Sequence, residues 1–517
     1  MNNKKNYFFT LFSGFGVQIA ATIIVLFLIP ISLNYWGPER YGALAILTSL
    51  MVYLGVSNLG VTSAASVLIA KNNNVKCKLD ILKRAFFLLI FSAIGFSFVF
   101  FLINCFFKNW VYLFGKIPPA ITEELSLALL MLFITFLINM PFAIMQAVFQ
   151  GYQKLYLERF FALLDTMFLF IALILTIFFK QNLVFFVLIR GLFLILNNFF
   201  RFLFFYITLY KKDLSSEYHE IYNYLDVKYR TIFITGIRFL SVGIAALIVW
   251  NTDNLVISHF LGLEYVTPYS ITFKAFGFAF TFISAINISI FPLMAKAMGS
   301  HDWDWINATY KKLIVTISVM GGAAWLGTVL FLRELLHLWV GTSGDAGLVV
   351  IVALGGYTYL LGLINLNNGL INTFNFLKNT IWISWLEAII NISVSIYLLQ
   401  FLGLGGVALG TFCGGILGAI FLYPFILMKK SQYKIKYDFM FIIKHIGFII
   451  LPLLIVSVLN TVFVSNLVFK ILIGIIILSV YGLASWQLAS KEVKEFWLMI
   501  LFKFLKKVPK PLGLKSL

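Results

Sequence analysis

Apolar runs of roughly twenty residues recur fourteen times along this chain, separated by short breaks rich in Lys, Arg, Asn and Gly. They fall near residues 8–35, 41–70, 85–107, 124–150, 160–179, 183–210, 231–260, 267–295, 313–332, 346–375, 381–400, 404–428, 446–464 and 468–489. A run of about 20 such residues crosses the ~30 Å hydrocarbon core of a bilayer as a helix. Backbone N–H and C=O groups find no partners in lipid, so each run is predicted helical. A membrane barrel would instead alternate apolar and polar positions over segments of about ten residues. The first run is too long for a signal peptide and lacks a small-residue cleavage site. The pattern predicts an all-α polytopic membrane protein of about fourteen transmembrane helices.

The pattern also repeats. Residues 33–44 read LNYWGPERYGAL and residues 258–269 read SHFLGLEYVTPY, sharing a G-x-E core at Gly37/Glu39 and Gly262/Glu264. At almost the same offset Lys154, closing FQGYQK, matches Lys378, closing FNFLK. Bias toward Phe and Leu explains apolar matches but not these polar ones. A duplicated six-helix unit is expected. The expected division is an N-terminal lobe at 1–212, a C-terminal lobe at 213–430, two further helices at 431–490 and a basic tail at 491–517.

Composition agrees on the solvent: 61% of 517 residues are hydrophobic and 11% charged, more apolar surface than a soluble core needs. Assigning loops alternately to the two sides puts thirty Lys and Arg on the side of both termini and six on the other. The excess of cations predicts that both termini are cytoplasmic. The net charge of +19 is then a topology signal, with anionic headgroups as a secondary partner. No soluble basic domain exists to carry nucleic acid.

Soluble chemistry has little room. The longest loops, near 211–230, 296–312 and 429–445, and the tail from about 490 are too short for a catalytic domain. Cys77, Cys105 and Cys413 make no CxxC spacing, and five scattered histidines make no metal-ligand pattern. No enzyme, cofactor or metal is expected.

Polarity inside the spans is the informative remainder. The tenth carries Asn365, Asn368, Asn372, Asn375 and Asn379 at spacings of 3, 4, 3 and 4, one continuous helix face. The fourth carries Asn139, Gln146, Gln150 and Gln153 on one face, and a shift of 226 lays Asn139, Gln146 and Gln153 on Asn365, Asn372 and Asn379. Amides in hydrocarbon need partners. One reading is glue between helices; the other is a wetted wall offering amides to hydroxyl-rich cargo, with Asn139, Gln146, Gln150, Asn365, Asn368, Asn372 and Asn375 as sugar contacts.

Charges inside the spans sort by residue count into two layers. Arg190, Lys274 and Asp253 fall ~10–12 Å below one surface, while Arg238, Asp165 and Glu387 fall at similar depth below the other. Asp253 and Lys274 lie on consecutive helices at one depth and are placed to pair. Arg190 extends through Asn197 to Arg201 as a polar stripe. Snorkelling of Lys274 and Arg238, a structural counter-ion role for Asp253, and capping of the inner mouths against loop lysines by Asp165 and Glu387 stand as alternatives. Ionisable groups in a membrane are functional candidates by default.

The turn LNYWGPERYG, the segment NTDNLVISHFLG, the segment INTFNFLK and the segment FLGLGGVALGT resemble the multidrug/oligosaccharidyl-lipid/polysaccharide exporter (MOP) superfamily. Within it the chain is most similar to Wzx-type O-antigen and polysaccharide biosynthesis flippases, over residues 8–428 plus the two extra helices. The resemblance implies two lobes around a central cavity that rock between inward- and outward-open states. It implies a cargo of undecaprenyl-diphosphate-linked oligosaccharide turned to the outer leaflet, with a polysaccharide polymerase and a chain-length regulator as partners. Arg190, Arg238 and Lys274 are then the diphosphate-binding candidates, and Asp253 the candidate for ion coupling.

Fourteen spans fit that branch better than multidrug antiporters, which usually have twelve. A cation-coupled drug antiporter is the alternative, and calls for a net acidic cavity; here Asp165, Glu387 and Asp253 are offset by three cations. A polymerase or ligase of the same pathway needs a large charged outer loop, whereas the longest here, near 108–123, holds few charges.

Overall fold

The computed structural model describes residues 2–72, 74–106, 114, 117–210, 227–374, 380–462 and 467–504. Among them are seventeen α-helices and no strand. The helices α1 to α7 are Asn2–Leu54, Val61–Lys71, Val75–Phe106, Pro119–Asn139, Ile144–Gly151, Leu155–Phe178 and Leu183–Phe205. Then follow α8 (Tyr229–Phe260), α9 (Leu263–Gly299), α10 (Trp303–Val340), α11 (Leu348–Thr373) and α12 (Ile381–Leu402). The rest are α13 (Leu404–Leu417), α14 (Tyr423–Lys430), α15 (Phe439–Val462), α16 (Leu467–Leu488) and α17 (Lys491–Phe504).

Twelve helical segments among the described residues are long and apolar enough to cross a membrane. The first, Ile19–Asn58, takes in most of the first expected span and part of the second, and α9 carries the eighth. The described residues of all fourteen apolar runs are mostly helical, but several runs are not single helices. The second breaks at Leu59 and Gly60, both at positive φ. The fourth breaks at a 3-10 turn, Met140–Ala143, where Pro141 has no N–H to donate and its ring crowds the preceding turn. The twelfth is interrupted by a π-helical turn, Gly418–Leu422.

The repeated glycines explain themselves in three dimensions. Gly37 sits at φ 76 inside α1, followed by Pro38, and Gly262 sits at φ 115 between α8 and α9. A Cβ is costly in that left-handed region, so the shared G-x-E core is a turn signal first.

The chain divides into two compact units, Met1–Phe273 with Leu336–Ala346 and Ala388–Val407, and Lys274–Leu335 with Gly347–Glu387 and Ala408–Leu517. In the first, α4 packs on α7, α1 on α6, and α2 on both α5 and α8. Its core joins Val61, Ala64, Ile69, Ile81, Leu89, Ile144 and Phe149. At the α2–α8 crossing, Gly60 and Gly236 let the backbones touch; a Cβ on Gly60 would lie 2.1 Å from the Gly236 carbonyl oxygen. In the second unit the two extra helices are fastened by polar contacts. His445 of α15 is fully buried, its Nδ1 3.3 Å from the Tyr359 hydroxyl and its Nε2 3.0 Å from that of Tyr481. Tyr481 donates to the Val319 carbonyl at 3.0 Å, and Lys470 of α16 pairs with Glu334 of α10. Large apolar side chains such as Phe91, Leu338, Phe401, Leu451 and Leu483 are 65–83% exposed, as a lipid-facing surface requires.

Candidate functional site: polar networks on the spanning helices

In the first unit a polar cluster joins α4, α6 and α7. Arg201 Nη2 lies 2.7 Å from Asp165 Oδ2, and Asn197 donates to Asp165 Oδ1 at 2.6 Å. Asn197 also donates to the Phe161 carbonyl at 3.0 Å. Arg201 reaches Asn198 Oδ1 at 2.9 Å, and Asn198 in turn donates to Asn139 Oδ1 at 2.9 Å. Asn139 closes the chain by donating to the Thr135 carbonyl at 2.8 Å.

Arg190 joins the same cluster from its other end, with Nη1 3.1 Å from the Asp165 main-chain carbonyl. The two-layer sorting by residue count therefore needs correcting. Counting places the Cα atoms, but the long guanidinium arm of Arg190 runs along the helix and meets α6 at Asp165. Asp165 is likewise no cap against loop lysines; its carboxylate is taken by Arg201. Among the described residues Arg190 makes no ion pair, so the cluster of two guanidiniums and one carboxylate carries a surplus positive charge.

The other diphosphate candidates lie on α8 and α9. Arg238 is exposed on α8, and Lys274 is half-buried on α9. Asp253 is 4% exposed and accepts from Tyr269 Oη at 2.5 Å. Its neighbours on α8 grip α1: Thr252 shares a hydrogen bond with Tyr53, and Asn254 donates to Ser49 at 3.0 Å. The NTDN segment thus couples α8 to α1 and α9 within one unit.

The amide faces are not uniform. Asn139 is buried in the α4–α7 contact. Gln146 is exposed and donates to Glu158 Oε1 at 3.2 Å, and Gln150 is half-buried. On α11, Asn365 accepts from Asn287 of α9 at 3.2 Å. Asn368 is half-buried with a buried Oδ1 lacking a hydrogen-bond partner, and Asn372 is exposed. Asn375 and Asn379, like Lys378, lie outside the described residues. The fully buried amide of this helix is Asn367, off the counted face, which accepts from Tyr310 Oη at 2.5 Å. Glu387 meets Tyr423 Oη at 3.3 Å rather than a lysine, and its Oε1 is buried beside Gly418 of the π turn without a hydrogen-bond partner.

No group of three metal-ligating side chains occurs among the described residues. Neither a family model nor a curated protein matches the sequence. Solved structures do match the fold. An inward-facing multidrug resistance MATE family transporter of the MOP superfamily superposes with TM-score 0.64 at 13% identity, covering 82% of this chain and 99% of that one. The lipid II flippase MurJ, in an inward closed conformation, superposes with TM-score 0.65 at 15% identity, covering 96% of this chain and 99% of that one. An outward-facing MATE transporter reaches 0.53 over 82% of this chain. The chain has the all-helical fold shared by these proteins.

Proposed function

We propose that this chain is a transporter that turns a lipid-diphosphate-linked oligosaccharide from one leaflet of a bacterial inner membrane to the other, its two repeat-derived lobes alternating access to a central path. The observation that carries this reading is the surplus cation at Arg190. A guanidinium within spanning helices that shares its nearest carboxylate, Asp165, with Arg201 is costly to keep there, and an anionic ligand offsets that cost. A diphosphate supplies the charge, and a planar guanidinium binds its oxygens in pairs. Lys274 and Arg238 are the further cationic stations along the path.

The exposed or half-buried amides Gln146, Gln150, Asn368 and Asn372 suit sugar hydroxyls, which they meet loosely and without demanding one sequence of sugars. Asn365 is already engaged by Asn287 and serves the wall. Asp253, held by Tyr269, is the group through which proton or sodium binding is coupled to transport.

The extent of the fold supports a flippase over a drug antiporter. The flippase superposition covers 96% of this chain, whereas the multidrug-transporter superpositions cover 82% and leave a remainder the size of the segment after Lys430. The antiporter reading also calls for acidic groups free to bind a cation, and Asp165 is neutralised by Arg201. Inverted membrane vesicles loaded with this chain distinguish the two. The flippase reading expects protection of a lipid-linked oligosaccharide from an external lectin, abolished by Arg190→Gln, and no accumulation of a lipophilic cation. Cation accumulation with unchanged oligosaccharide exposure overturns it.

A further inference from the structure

A groove of about 410 Å³ opens on the side of the first unit, within the range of about 300–1,000 Å³ typical of small-ligand sites. Leu88, Phe91, Gly95 and Val99 line it from α3, Leu59 from the break before α2, and Phe233 from α8. The α3 residues recur at spacings of 3, 4 and 4, so they form one helix face. From Leu88 to Val99 that face runs ~16 Å, about the thickness of one leaflet. Phe91 is 69% exposed and Phe233 40% exposed, so the groove opens to the surrounding lipid.

One turn before Leu88 on the same face stands Arg84. Its Nη1 donates to the Val227 carbonyl at 2.8 Å, and its guanidinium lies 5.5 Å from the Tyr229 ring centroid. This fixes a cation at the end of the groove and joins α3 to the start of α8. Lys83, Lys228 and Arg230 are exposed around it, and Arg230 precedes Phe233 by one turn on α8. An apolar slot one leaflet long whose polar end carries four cations against one carboxylate, Asp80 a turn before Arg84, is complementary to an amphiphile with an anionic head. The bilayer provides such an amphiphile.

We propose that this groove is a specific site for an anionic glycerophospholipid, its phosphate against Arg84 and Arg230 and one acyl chain along the α3 face to Val99. The cluster of basic groups at the mouth selects a net negative headgroup. The site adjoins the Leu59–Gly60 break and the Gly60–Gly236 crossing, so an acyl chain there props the broken helix from its lipid side. It is independent of cargo transport.

Gly95 makes the proposal testable. A Cβ at Gly95 would meet no atom within 4 Å, so the side chain of Gly95→Leu starts into open space and obstructs the groove. The full chain is placed in nanodiscs with a phosphatidylglycerol or a phosphatidylcholine bearing a photoreactive acyl chain, and labelled peptides are mapped by mass spectrometry. The proposal expects phosphatidylglycerol to label the 84–99 region at least five-fold above phosphatidylcholine, and Gly95→Leu to remove that labelling while the melting temperature holds. Arg230→Gln, an exposed change, is expected to reduce the headgroup preference; it keeps the proposal testable if Arg84→Gln fails to fold. Equal labelling by both lipids, or labelling unchanged in Gly95→Leu, overturns the proposal. Displacement of the phosphatidylglycerol probe by a polyprenyl phosphate at lower mole fraction overturns the assignment of the occupant.

Discussion

Asn198 of α7 donates a hydrogen bond to Asn139 of α4 at 2.9 Å, with both side chains buried. This one contact divides the amides of the fourth span by role. Asn139 clasps two helices, whereas Gln146, two turns further on and past the Pro141 break, stands exposed. Asn198→Ala strips the clasp and leaves Asn139 Oδ1 without that donor. The expected loss is about 1–2 kcal/mol of stability, seen as a lowered melting temperature in detergent. Gln146→Ala and Asn372→Ala are expected to leave melting unchanged and to lower oligosaccharide flipping several-fold.

The Asp165–Arg201 pair is largely shielded, with side chains 20% and 12% exposed. Removing one member leaves the other uncompensated. Arg201→Gln or Asp165→Asn is expected to destabilise by about 3 kcal/mol, and the double variant by less than the sum of the two. A thermal-shift double-mutant cycle reads the coupling. Strictly additive losses would show that the pair is not an energetic unit.

Gly37 and Gly262, matched in sequence at an offset of 225, both hold φ in the left-handed region. Alanine at either is expected to lose about 1–2 kcal/mol from conformational strain alone. Gly16 and Gly95, where a Cβ meets no atom within 4 Å and no positive φ is required, tolerate alanine without loss. Melting temperatures of the four single variants make the comparison.

Tyr437 lies between α14 and α15, outside the membrane-spanning segments, with a buried hydroxyl lacking a hydrogen-bond partner. Burial pushes its phenol up, with Tyr359 and Asp438 adding to the effect. The fold thus retains this proton to higher pH than the unfolded chain does. The associated stability is intact below the unfolded value of about 10 and is lost as pH climbs beyond it. Tyr437→Phe is expected to be neutral or stabilising at pH 7, because it deletes an unpaired buried hydroxyl. It is also expected to flatten the alkaline fall in melting temperature.

The spans are legible because an apolar run of that length has few other uses, and the break at Gly37 falls in the repeated turn motif; the break at Pro141 falls inside a run that periodicity reads as one span. The polar contacts were harder. Counting residues fixes the depth of a Cα but not the reach of a side chain, so counting separates Arg190 from Asp165 although the guanidinium lies beside the Asp165 carbonyl. The 3-4 spacing on α11 led to Asn365, Asn368 and Asn372 but passed over Asn367, the amide most deeply engaged. His445 gave no signal as one of five scattered histidines, because its partners Tyr359 and Tyr481 are far away in sequence. Local periodicity reports a face; it does not report what that face meets.

The central claim is that amides from both repeats line a water-accessible path used by cargo. It is tested most directly with single cysteines at Gln146 and Asn372, in a chain whose native cysteines are replaced, probed by a membrane-impermeant maleimide. The account predicts labelling at both positions from the aqueous phase, slowed at least several-fold by a lipid-linked oligosaccharide and not by phospholipid alone. Cysteines at both positions that stay unreactive from either side of the membrane, or react at a rate indifferent to cargo, would contradict it.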